Sequence, residues 1–301
     1  MPSTDSTLLT LEDWHLGGHT FNHNGYNVFY RAGGIDSSEA LVCLHGFPTS
    51  SWDWNRLWPS LCAHWRVMAF DMIGYGFSDK PHRYDYSIGD QADLCEELLN
   101  ALHVTRVHII AHDVGDSVAQ ELLARHTERA DTGDHRFTIQ SVCLLNGGLF
   151  PETHRPTLIQ KILASRLGFI AAKFMSERRF RTSFAEIFGA HTKPSDAELH
   201  EFWSLIAFNH GERIAHKLIG YMNERRIHRE RWVGALHSNV PLLIVNGSDD
   251  PVSGAHMVTR LRDEVPGIRV VTLPGIGHYP QIENAGAVLR AYVEFREHLM
   301  R

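Results

Sequence analysis

Six short apolar segments, separated by stretches with helical periodicity, constrain the fold of this chain more than any other feature. These segments are Ala40–Leu44, Arg66–Phe70, Val107–Ala111, Gln140–Leu145, Pro241–Val245 and Arg269–Leu273. Several are apolar on both faces, as expected of strands that helices cover on both sides of a sheet. Their alternation with helical patterns predicts a largely parallel sheet with crossover helices. Two earlier segments, about Leu8–Leu16 and Tyr26–Arg31, predict an antiparallel leading hairpin.

The stretch from Leu145 to Pro241 breaks this alternation, because it contains no clear strand. Its helical patterns are Thr157–Leu167, Asp196–Phe208 and Glu212–His228. We interpret residues 148–238 as a helical cap inserted into a core domain formed by residues 1–147 and 239–301. The alternative is that these helices pack on the edge of the sheet and form no lid.

Composition and charge argue against several broad classes of protein. Hydrophobic residues make up 43% and charged residues 21% of the 301 residues, which is ordinary for a globular protein. The formal net charge of −6 differs from the basic balance of a general nucleic-acid binder. Met1–Leu11 is polar and acidic rather than a signal peptide, and no run of 18 apolar residues occurs. We therefore expect a cytoplasmic protein with no membrane span.

The 21 histidines and four cysteines do not form a recognisable metal site. No C-x-x-C pair occurs among the cysteines. His15, His19 and His23 are four residues apart, but they lie in a Gly- and Asn-containing stretch rather than in a convincing helix. We therefore predict no bound metal and no cofactor.

The turn Ala111-His-Asp-Val-Gly115 is the first candidate for chemistry. It joins the strand Val107–Ala111 to a helical pattern that runs from Asp116 to Arg125. Small residues on both sides of Asp113 match an elbow in which a sharp turn lifts a nucleophile above the sheet. The N-terminus of the following helix stabilises a carboxylate placed there. Taken alone, Asp113 is explained equally well as a helix cap.

Two backbone amides near this turn are candidates for an oxyanion hole. The loop His45-Gly-Phe-Pro48 directly follows the predicted strand Ala40–Leu44. In chains with this elbow, such a loop supplies one N–H of the oxyanion hole, and the residue after the nucleophile supplies the other. The two donors would be the amides of Phe47 and Val114. We expect His45 to brace the loop rather than to take part in the chemistry.

Two further loops supply an acid and a base. Gly247-Ser-Asp-Asp-Pro251 offers Asp250, with Asp249 as the runner-up, to orient a histidine; the alternative is that both acids cap the next helix. Gly275-Ile-Gly-His-Tyr-Pro280 offers His278 as a general base. The chain order of nucleophile, acid and histidine is the one that accompanies the elbow. The joint pattern makes Asp113 a nucleophile rather than a cap.

Several of these segments resemble the α/β-hydrolase epoxide hydrolases. They are His45-Gly-Phe-Pro48, Gly74-Tyr-Gly-Phe-Ser78, His112-Asp113 and Gly277-His-Tyr-Pro-Gln281. Three longer segments resemble the mesoderm-specific transcript proteins and their bacterial relatives more closely. They are His112–Leu123, Asn146–Pro156 and Arg231–Leu236. The resemblance covers most of the chain and implies an α/β-hydrolase fold, with a mostly parallel eight-stranded sheet flanked by helices and an inserted helical cap.

The resemblance implies covalent chemistry at Asp113. A carboxylate can attack an sp³ carbon to give an alkyl-enzyme ester, which water activated by His278 and Asp250 then hydrolyses. Haloalkane dehalogenases share the general motifs, but they typically have Trp directly after the nucleophile and often Asn in the oxyanion loop. This chain has Val114 and Phe47 there. It also lacks the Arg that follows the nucleophile in fluoroacetate dehalogenases. These departures favour a small apolar epoxide, with water, as the substrates.

Ring opening in epoxide hydrolases usually depends on two tyrosines of the cap. The predicted cap of this chain contains one, Tyr221, and has His191 where the mesoderm-specific proteins have Tyr. We therefore expect Tyr221 and His191 to form the ring-opening pair. The alternative is that His191 is an exposed loop residue and Tyr221 packs within a helix. Asp116, which is unusual in this elbow, is expected to face away from the pocket.

The sequence leaves the substrate-binding residues, the rival functions and the oligomeric state open. Candidate substrate-binding residues are Trp52, Phe150, Phe188 and Trp203, although aromatic residues on helices more often belong to a core. One rival function is another enzyme of the same fold, such as a dehalogenase or a hydrolase of strained esters or lactones. A second rival is a non-catalytic binding protein. A homodimer is possible.

Overall fold

The computed structural model describes residues 9–132 and 137–300, with the backbone alone for residues 130–132. Leu8, where the first predicted strand begins, lies outside these ranges. The strands are β1 (His19–His23), β2 (Tyr26–Gly33), β3 (Glu39–Leu44), β4 (Arg66–Phe70), β5 (Arg106–His112), β6 (Thr138–Leu145), β7 (Leu242–Gly247) and β8 (Arg269–Leu273). They form one sheet in the order β1-β2-β4-β3-β5-β6-β7-β8.

Helices account for most of the remaining described chain. The α-helices are α1 (Leu11–Leu16), α2 (Trp58–Cys62), α3 (Ile88–Ala101), α4 (Val114–Thr132), α5 (Leu158–Leu163), α6 (Gly168–Lys173), α7 (Glu177–Ala185), α8 (Asp196–Ala207), α9 (Ala215–Leu218), α10 (Tyr221–Ile227), α11 (Arg229–Ala235), α12 (Ala255–Glu264), α13 (Pro280–Glu283) and α14 (Ala285–Leu299). Two 3₁₀ segments, Ser51–Trp54 and Phe208–Ile214, complete the set.

The sheet is mostly parallel, as predicted. β2 pairs antiparallel with β1 and with β4, and the other neighbouring strands are parallel. The middle strands are buried on both faces, because an apolar layer covers each side of the sheet. In β5, for example, Ile109 belongs to one layer and Ile110 to the other. The fold class predicted from the sequence is therefore confirmed.

The leading hairpin differs from the prediction. Residues Leu11–Leu16 form a helix rather than a strand, because Thr10 and Asp13 make a reciprocal capping box at its N-terminus. The first strand is β1, which joins β2 through Asn24 and Gly25, both in the left-handed region with φ of 51° and 86°. The Asn-Gly pair was the sequence signal for this turn.

Between β6 and β7 the described chain is helical, but its helices are shorter than predicted. α8 agrees with the predicted helix to within a residue. The pattern at 157–167 continues as a helix only to Leu163. The pattern at 212–228 divides into a 3₁₀ segment, α9 and α10, after left-handed residues at Asn209 and His210.

α11, at the end of this helical segment, is hydrogen-bonded to α4. Trp232 of α11 donates from Nε1 to Glu121 of α4 at 2.8 Å, and Arg231 donates from Nε to the same carboxylate at 2.7 Å. α11 therefore packs along α4, the helix that follows β5. The division of the chain into a core and a separate cap stays a prediction.

The close approach of the elbow to β3 generates a first test. A Cβ added to Gly115 would lie 2.5 Å from the carbonyl oxygen of Leu44 and 2.7 Å from that of His45. We expect Gly115→Ala to lower the free energy of unfolding by about 1–3 kcal/mol, measured by urea denaturation, because backbone atoms must shift.

The control is Gly234→Ala, in α11, where a Cβ would meet nothing within 4 Å. That change should be neutral or stabilising by up to about 1 kcal/mol, since Ala favours helix. Equal effects of the two substitutions would contradict the close packing of the elbow against β3.

Candidate active site

Four loops at one edge of the sheet carry the predicted site residues. β3 leads to Phe47, β5 to Asp113, β7 to Asp250 and β8 to His278. Because β3, β5, β7 and β8 all run in the same direction, their carboxyl ends lie at the same edge. All four residues are at most 7% exposed.

Asp113 occupies the elbow between β5 and α4. Its backbone is in the left-handed region, with φ of 48°, which is uncommon for a residue with a side chain. The N–H of Phe47 donates to Asp113 Oδ2 at 3.1 Å. Val114, whose amide is the other predicted donor, is the first residue of α4 and is buried. The carboxylate therefore lies at a helix N-terminus beside the loop that follows β3.

Arg225 is a site residue that the sequence analysis missed. It lies in α10, is 3% exposed, and its Nη2 donates to the backbone oxygen of Asp113 at 2.8 Å. The same nitrogen is 3.4 Å from Asp113 Oδ1, and Nε donates to Ser117 Oγ at 2.8 Å. The spacing of four residues from Tyr221, which puts both on one helix face, was the available signal.

The surroundings of Asp113 favour its ionised form. Burial opposes ionisation, but the charge of Arg225, and next that of His278, outweigh it, so the pKa of Asp113 lies below its ordinary value. The side chain is therefore a carboxylate at neutral pH, which is the form required for nucleophilic attack.

Asp250, not Asp249, faces His278. Asp250 Oδ2 lies 2.8 Å from His278 Nδ1 and also accepts from Asn146 Nδ2 and Ser253 Oγ, each at 2.9 Å. Asp249 is exposed and instead accepts from the backbone N–H of residue 275. Because the carboxylate holds the proton on Nδ1, Nε2 of His278 is left as the basic nitrogen. Asn146 was not singled out from the sequence.

The acid and the histidine shift each other's protonation in opposite directions. Burial opposes the ionisation of Asp250, but His278 and the donated hydrogen bonds outweigh it and lower the pKa of Asp250. Burial likewise opposes protonation of His278, but the charge of Asp250 outweighs it and raises the pKa of His278. This arrangement suits a histidine that accepts a proton during a reaction.

Two other histidines hold the loops in place. His45 Nε2 accepts the N–H of Met72 at 3.0 Å, so its Nδ1 donates to the oxygen of Gly46, also at 3.0 Å. This is the bracing role expected for His45. His112 Nε2 donates to the backbone oxygen of His278 at 2.8 Å and thereby ties the elbow to the loop after β8.

Asp116 is a second buried carboxyl group in the first turn of α4. Its oxygens have no hydrogen-bond partner among the described residues, and Oδ2 is 2.0 Å from the position that a Cβ would take on Gly147. Burial, and next the charge of Asp113, raise the pKa of Asp116 well above its ordinary value. The surroundings of Asp116 therefore favour its neutral form, and its carboxyl group packs against Gly147.

Tyr221 stands beside the oxyanion loop. It is 1% exposed, its ring centroid is 5.9 Å from that of Phe47, and the guanidinium of Arg225 lies 4.7 Å above its ring. Gln160 Nε2 donates to the hydroxyl oxygen at 3.2 Å, while Gln160 Oε1 accepts the N–H of Thr157. The hydroxyl proton of Tyr221 is therefore available for another acceptor. Burial, and next Asp113, raise the pKa of Tyr221 and keep it protonated.

His191 does not join Tyr221, and the expected pairing is corrected. His191 lies in a turn after α7 with its side chain exposed. The turn is held by Glu283, which accepts from the N–H of Gly189 at 2.8 Å and from the hydroxyl of Thr192. A ring-opening donor must reach the buried surroundings of Asp113, and an outward-facing residue of this turn does not.

The predicted substrate-binding aromatic residues lie in different surroundings. Phe188 stacks on Tyr279, the neighbour of His278, with ring centroids 5.1 Å apart, and Trp52 contacts Phe202. Trp203 is partly buried and packs on Phe180. Phe150 is fully buried and belongs to a different hydrophobic cluster from Phe188. A cavity of about 10 Å³ borders Val114 and Tyr221.

Two further sequence expectations concern metals and membranes. Across residues 9–132 and 137–300, no group of three or more His, Cys, Asp or Glu side chains is arranged to hold a metal ion. Within the same ranges, every helix is too short or too polar to cross a bilayer.

Comparison with known proteins identifies relatives over nearly the whole chain. A family model described as the alpha/beta hydrolase fold matches residues 39–285. The mesoderm-specific transcript protein of Mus musculus is 41% identical over 295 residues, which cover 95% of this chain and 87% of the mouse protein. LipZ of Mycobacterium tuberculosis is 38% identical over 287 residues, which cover 95% of this chain and 97% of LipZ. The resemblance seen in the sequence is confirmed.

Solved structures share the fold at low sequence identity. The haloalkane dehalogenase DatA from Agrobacterium tumefaciens has a TM-score of 0.75 at 19% identity, covering 94% of this chain and 96% of that chain. The epoxide hydrolase CorEH has a TM-score of 0.72 at 18% identity, covering 94% of this chain and 99% of that chain. At such identities the similarity establishes the fold and does not distinguish between the two reactions.

Proposed function

The chain belongs to the alpha/beta hydrolase fold family, and on that premise we propose that it is an epoxide hydrolase that forms a covalent ester on Asp113. The observation that carries the proposal is the environment of Asp113. An ionised carboxylate at an elbow accepts the N–H of Phe47, and the ring of Tyr221 packs against the ring of Phe47. His278, which is paired with Asp250, is close enough for its charge to lower the pKa of Asp113. The substrates would be a small epoxide and water.

The first step opens the ring. A carboxylate oxygen of Asp113 attacks one ring carbon, and the bond from that carbon to the ring oxygen breaks. The ring oxygen takes the bonding electron pair and then the hydroxyl proton of Tyr221. The donation from Gln160 supports this role, because it leaves the proton of Tyr221 free. The product is a hydroxyalkyl ester of Asp113 and the phenolate of Tyr221.

The second step hydrolyses the ester. Nε2 of His278 takes a proton from water, and the resulting hydroxide attacks the carbonyl carbon of the Asp113 ester. The developing oxyanion accepts hydrogen bonds from the amides of Phe47 and Val114. Collapse releases the diol, restores the carboxylate of Asp113 with one oxygen from water, and returns the proton on His278 to the phenolate of Tyr221.

A halide is the rival leaving group, and the side chains around Asp113 do not favour it. Stabilising a halide requires donors that do not give up their protons, and neither Val114 nor Phe47 has a side-chain donor. Arg225 is such a donor, but its Nη2 and Nε bind Asp113 and Ser117. Tyr221, by contrast, offers a proton that an epoxide oxygen needs. Sustained halide release from simple haloalkanes, without diol formation from epoxides, would favour the dehalogenase instead.

The covalent mechanism is tested by turnover of an aryl or aliphatic epoxide in heavy-oxygen water. Over many turnovers, the label should enter the Asp113 carboxylate, because each hydrolysis leaves one oxygen from water on it. Peptide mass spectrometry measures the label, with the peptide that contains Asp250 as the internal control. Diol formation with an unlabelled Asp113 would contradict the covalent step.

The ring-opening donor is tested by Tyr221→Phe. Loss of the proton donor should lower kcat for an epoxide by about 100-fold or more, in steady-state assays of diol formation. The comparison is His191→Ala, which should change kcat by no more than about twofold, since surface substitutions rarely disturb the fold. A large loss in His191→Ala with near-normal turnover in Tyr221→Phe would reverse the assignment.

A further inference from the structure

Arg225, which is buried and bonds to Asp113, and His154, which is partly buried, have nitrogens that the proposed reaction does not use. Nη1 of Arg225 and both ring nitrogens of His154 have no hydrogen-bond partner among the described residues. Arg225 is 3% exposed, and its other nitrogens bond to Asp113 and Ser117. Burying donors without acceptors costs free energy, so these atoms point to a ligand.

The unpaired nitrogens converge beside Gly148. The position that a Cβ would take on Gly148 is 2.5 Å from Arg225 Nη1 and 3.0 Å from His154 Nδ1. A side chain at this position would collide with the guanidinium. Burial, and next the charge of Arg225, lower the pKa of His154, so its ring is neutral and can donate one N–H at neutral pH.

We propose that Arg225 and His154 bind a carboxylate of the substrate, so that the substrate is an epoxide with a carboxylate close to its ring. The inference rests on the proposed function for the epoxide and on the two unpaired side chains for the carboxylate. A planar carboxylate has two oxygens, one for a guanidinium N–H and one for an imidazole N–H.

The charge of the site changes in a way that favours such a substrate. In the resting protein the positive charge of Arg225 is balanced by Asp113, at 3.4 Å. Formation of the ester removes the negative charge of Asp113 and leaves Arg225 buried without a counter-ion. A substrate carboxylate would restore the balance in the covalent intermediate. His154 adds no charge, because burial, and next Arg225, lower its pKa to about 3.

The test uses a neutral replacement for the nucleophile, Asp113→Asn, which resembles the ester in charge and shape and forms no covalent adduct. Calorimetry would compare phenylacetate with phenylacetamide as ligands for this variant and for the parent. We expect phenylacetate to bind the variant at least about tenfold more tightly than the parent. Phenylacetamide should bind both proteins with similar affinity. Adding His154→Phe to the variant should remove most of the gain.

Failure of this experiment is separable from failure of the proposed function, because no epoxide is consumed. Absence of a gain for phenylacetate, or an equal gain for phenylacetamide, would overturn the carboxylate site and leave the labelling result unaffected. If Asp113→Asn does not fold, the parent and His154→Phe are compared by thermal unfolding. Phenylacetate should then stabilise the parent more than His154→Phe, and equal stabilisation would overturn the proposal.

A second, independent observation concerns the outer surface of α5 and α6, which we call the α5–α6 surface. Large apolar side chains within residues 158–174 are 39% to 74% exposed. They are Leu158, Ile162, Leu167, Phe169, Ile170 and Phe174. Six large exposed apolar side chains within 17 residues exceed the scattered exposure that is normal, and such groups mark surfaces that bind a partner or a membrane.

The charge of this segment is opposite to that of the whole chain. Residues 153–176 contain no Asp or Glu, whereas the chain has a formal net charge of −6. The segment contributes four exposed cations: Arg155, Lys161, Arg166 and Lys173. Exposed apolar side chains that alternate along the chain with exposed cations match the interface of an anionic bilayer, where the apolar groups enter the acyl boundary and the cations contact headgroups.

We infer that the α5–α6 surface docks on anionic lipid bilayers. Vesicle co-sedimentation of the full chain tests this with phosphatidylcholine alone and with added phosphatidylglycerol. Binding should require the anionic lipid and weaken as salt rises. Phe169→Ser with Phe174→Ser should weaken binding by at least about fivefold, because the inserted apolar area is lost.

The control for that pair is Leu16→Ser with Ile35→Ser, which removes apolar side chains that are 75% and 51% exposed outside the α5–α6 surface. This control should bind vesicles as the parent does. Failure of the parent to bind anionic vesicles, or an equal loss in both double variants, would overturn the proposal. If the parent does not bind anionic vesicles, the next candidate occupant of the α5–α6 surface is a protein partner.

Discussion

The burial of an ionised carboxylate at Asp113 is the constraint on which the rest of the site depends. A charge that is 1% exposed is costly unless nearby groups compensate for it. The compensation comes from the N-terminus of α4, the N–H of Phe47 and the guanidinium of Arg225. These groups come from distant parts of the sequence. The fold therefore has to bring β3, β5 and α10 together before Asp113 can remain charged.

The same compensation connects the helical segment between β6 and β7 to the elbow. Arg225 and Tyr221 lie one turn apart on α10, and Arg225 bonds to both Asp113 and Ser117. Movement of α10 would therefore change the charge balance at Asp113 and the position of the Tyr221 hydroxyl together. In the proposed reaction, negative charge moves from Asp113 to the ring oxygen. Arg225, which pairs with Asp113, and Tyr221, which protonates the ring oxygen, both lie on α10 and both take part in this charge transfer.

The sequence predicted the sheet and the loops that follow its strands, because apolar periodicity and small residues at turns are local properties. β4 and β8 have the predicted bounds, and Asp250 lies where the Asp-Pro pair suggested. Long-range contacts were not predictable in this way. The turn that contains the exposed His191 is held by Glu283, which is far along the chain. Arg225 was not singled out from the sequence, because its burial depends on contacts with Asp113 and with Ser117 of α4.

The most direct test of the account is the mass of His278→Gln after it is mixed with an epoxide that the parent consumes. This variant keeps the nucleophile but lacks the base for the second step. The account predicts that the protein gains the mass of one epoxide, and that the added group is located on the peptide containing Asp113. A variant that neither turns over nor gains mass would contradict the role of His278 in hydrolysing an ester on Asp113.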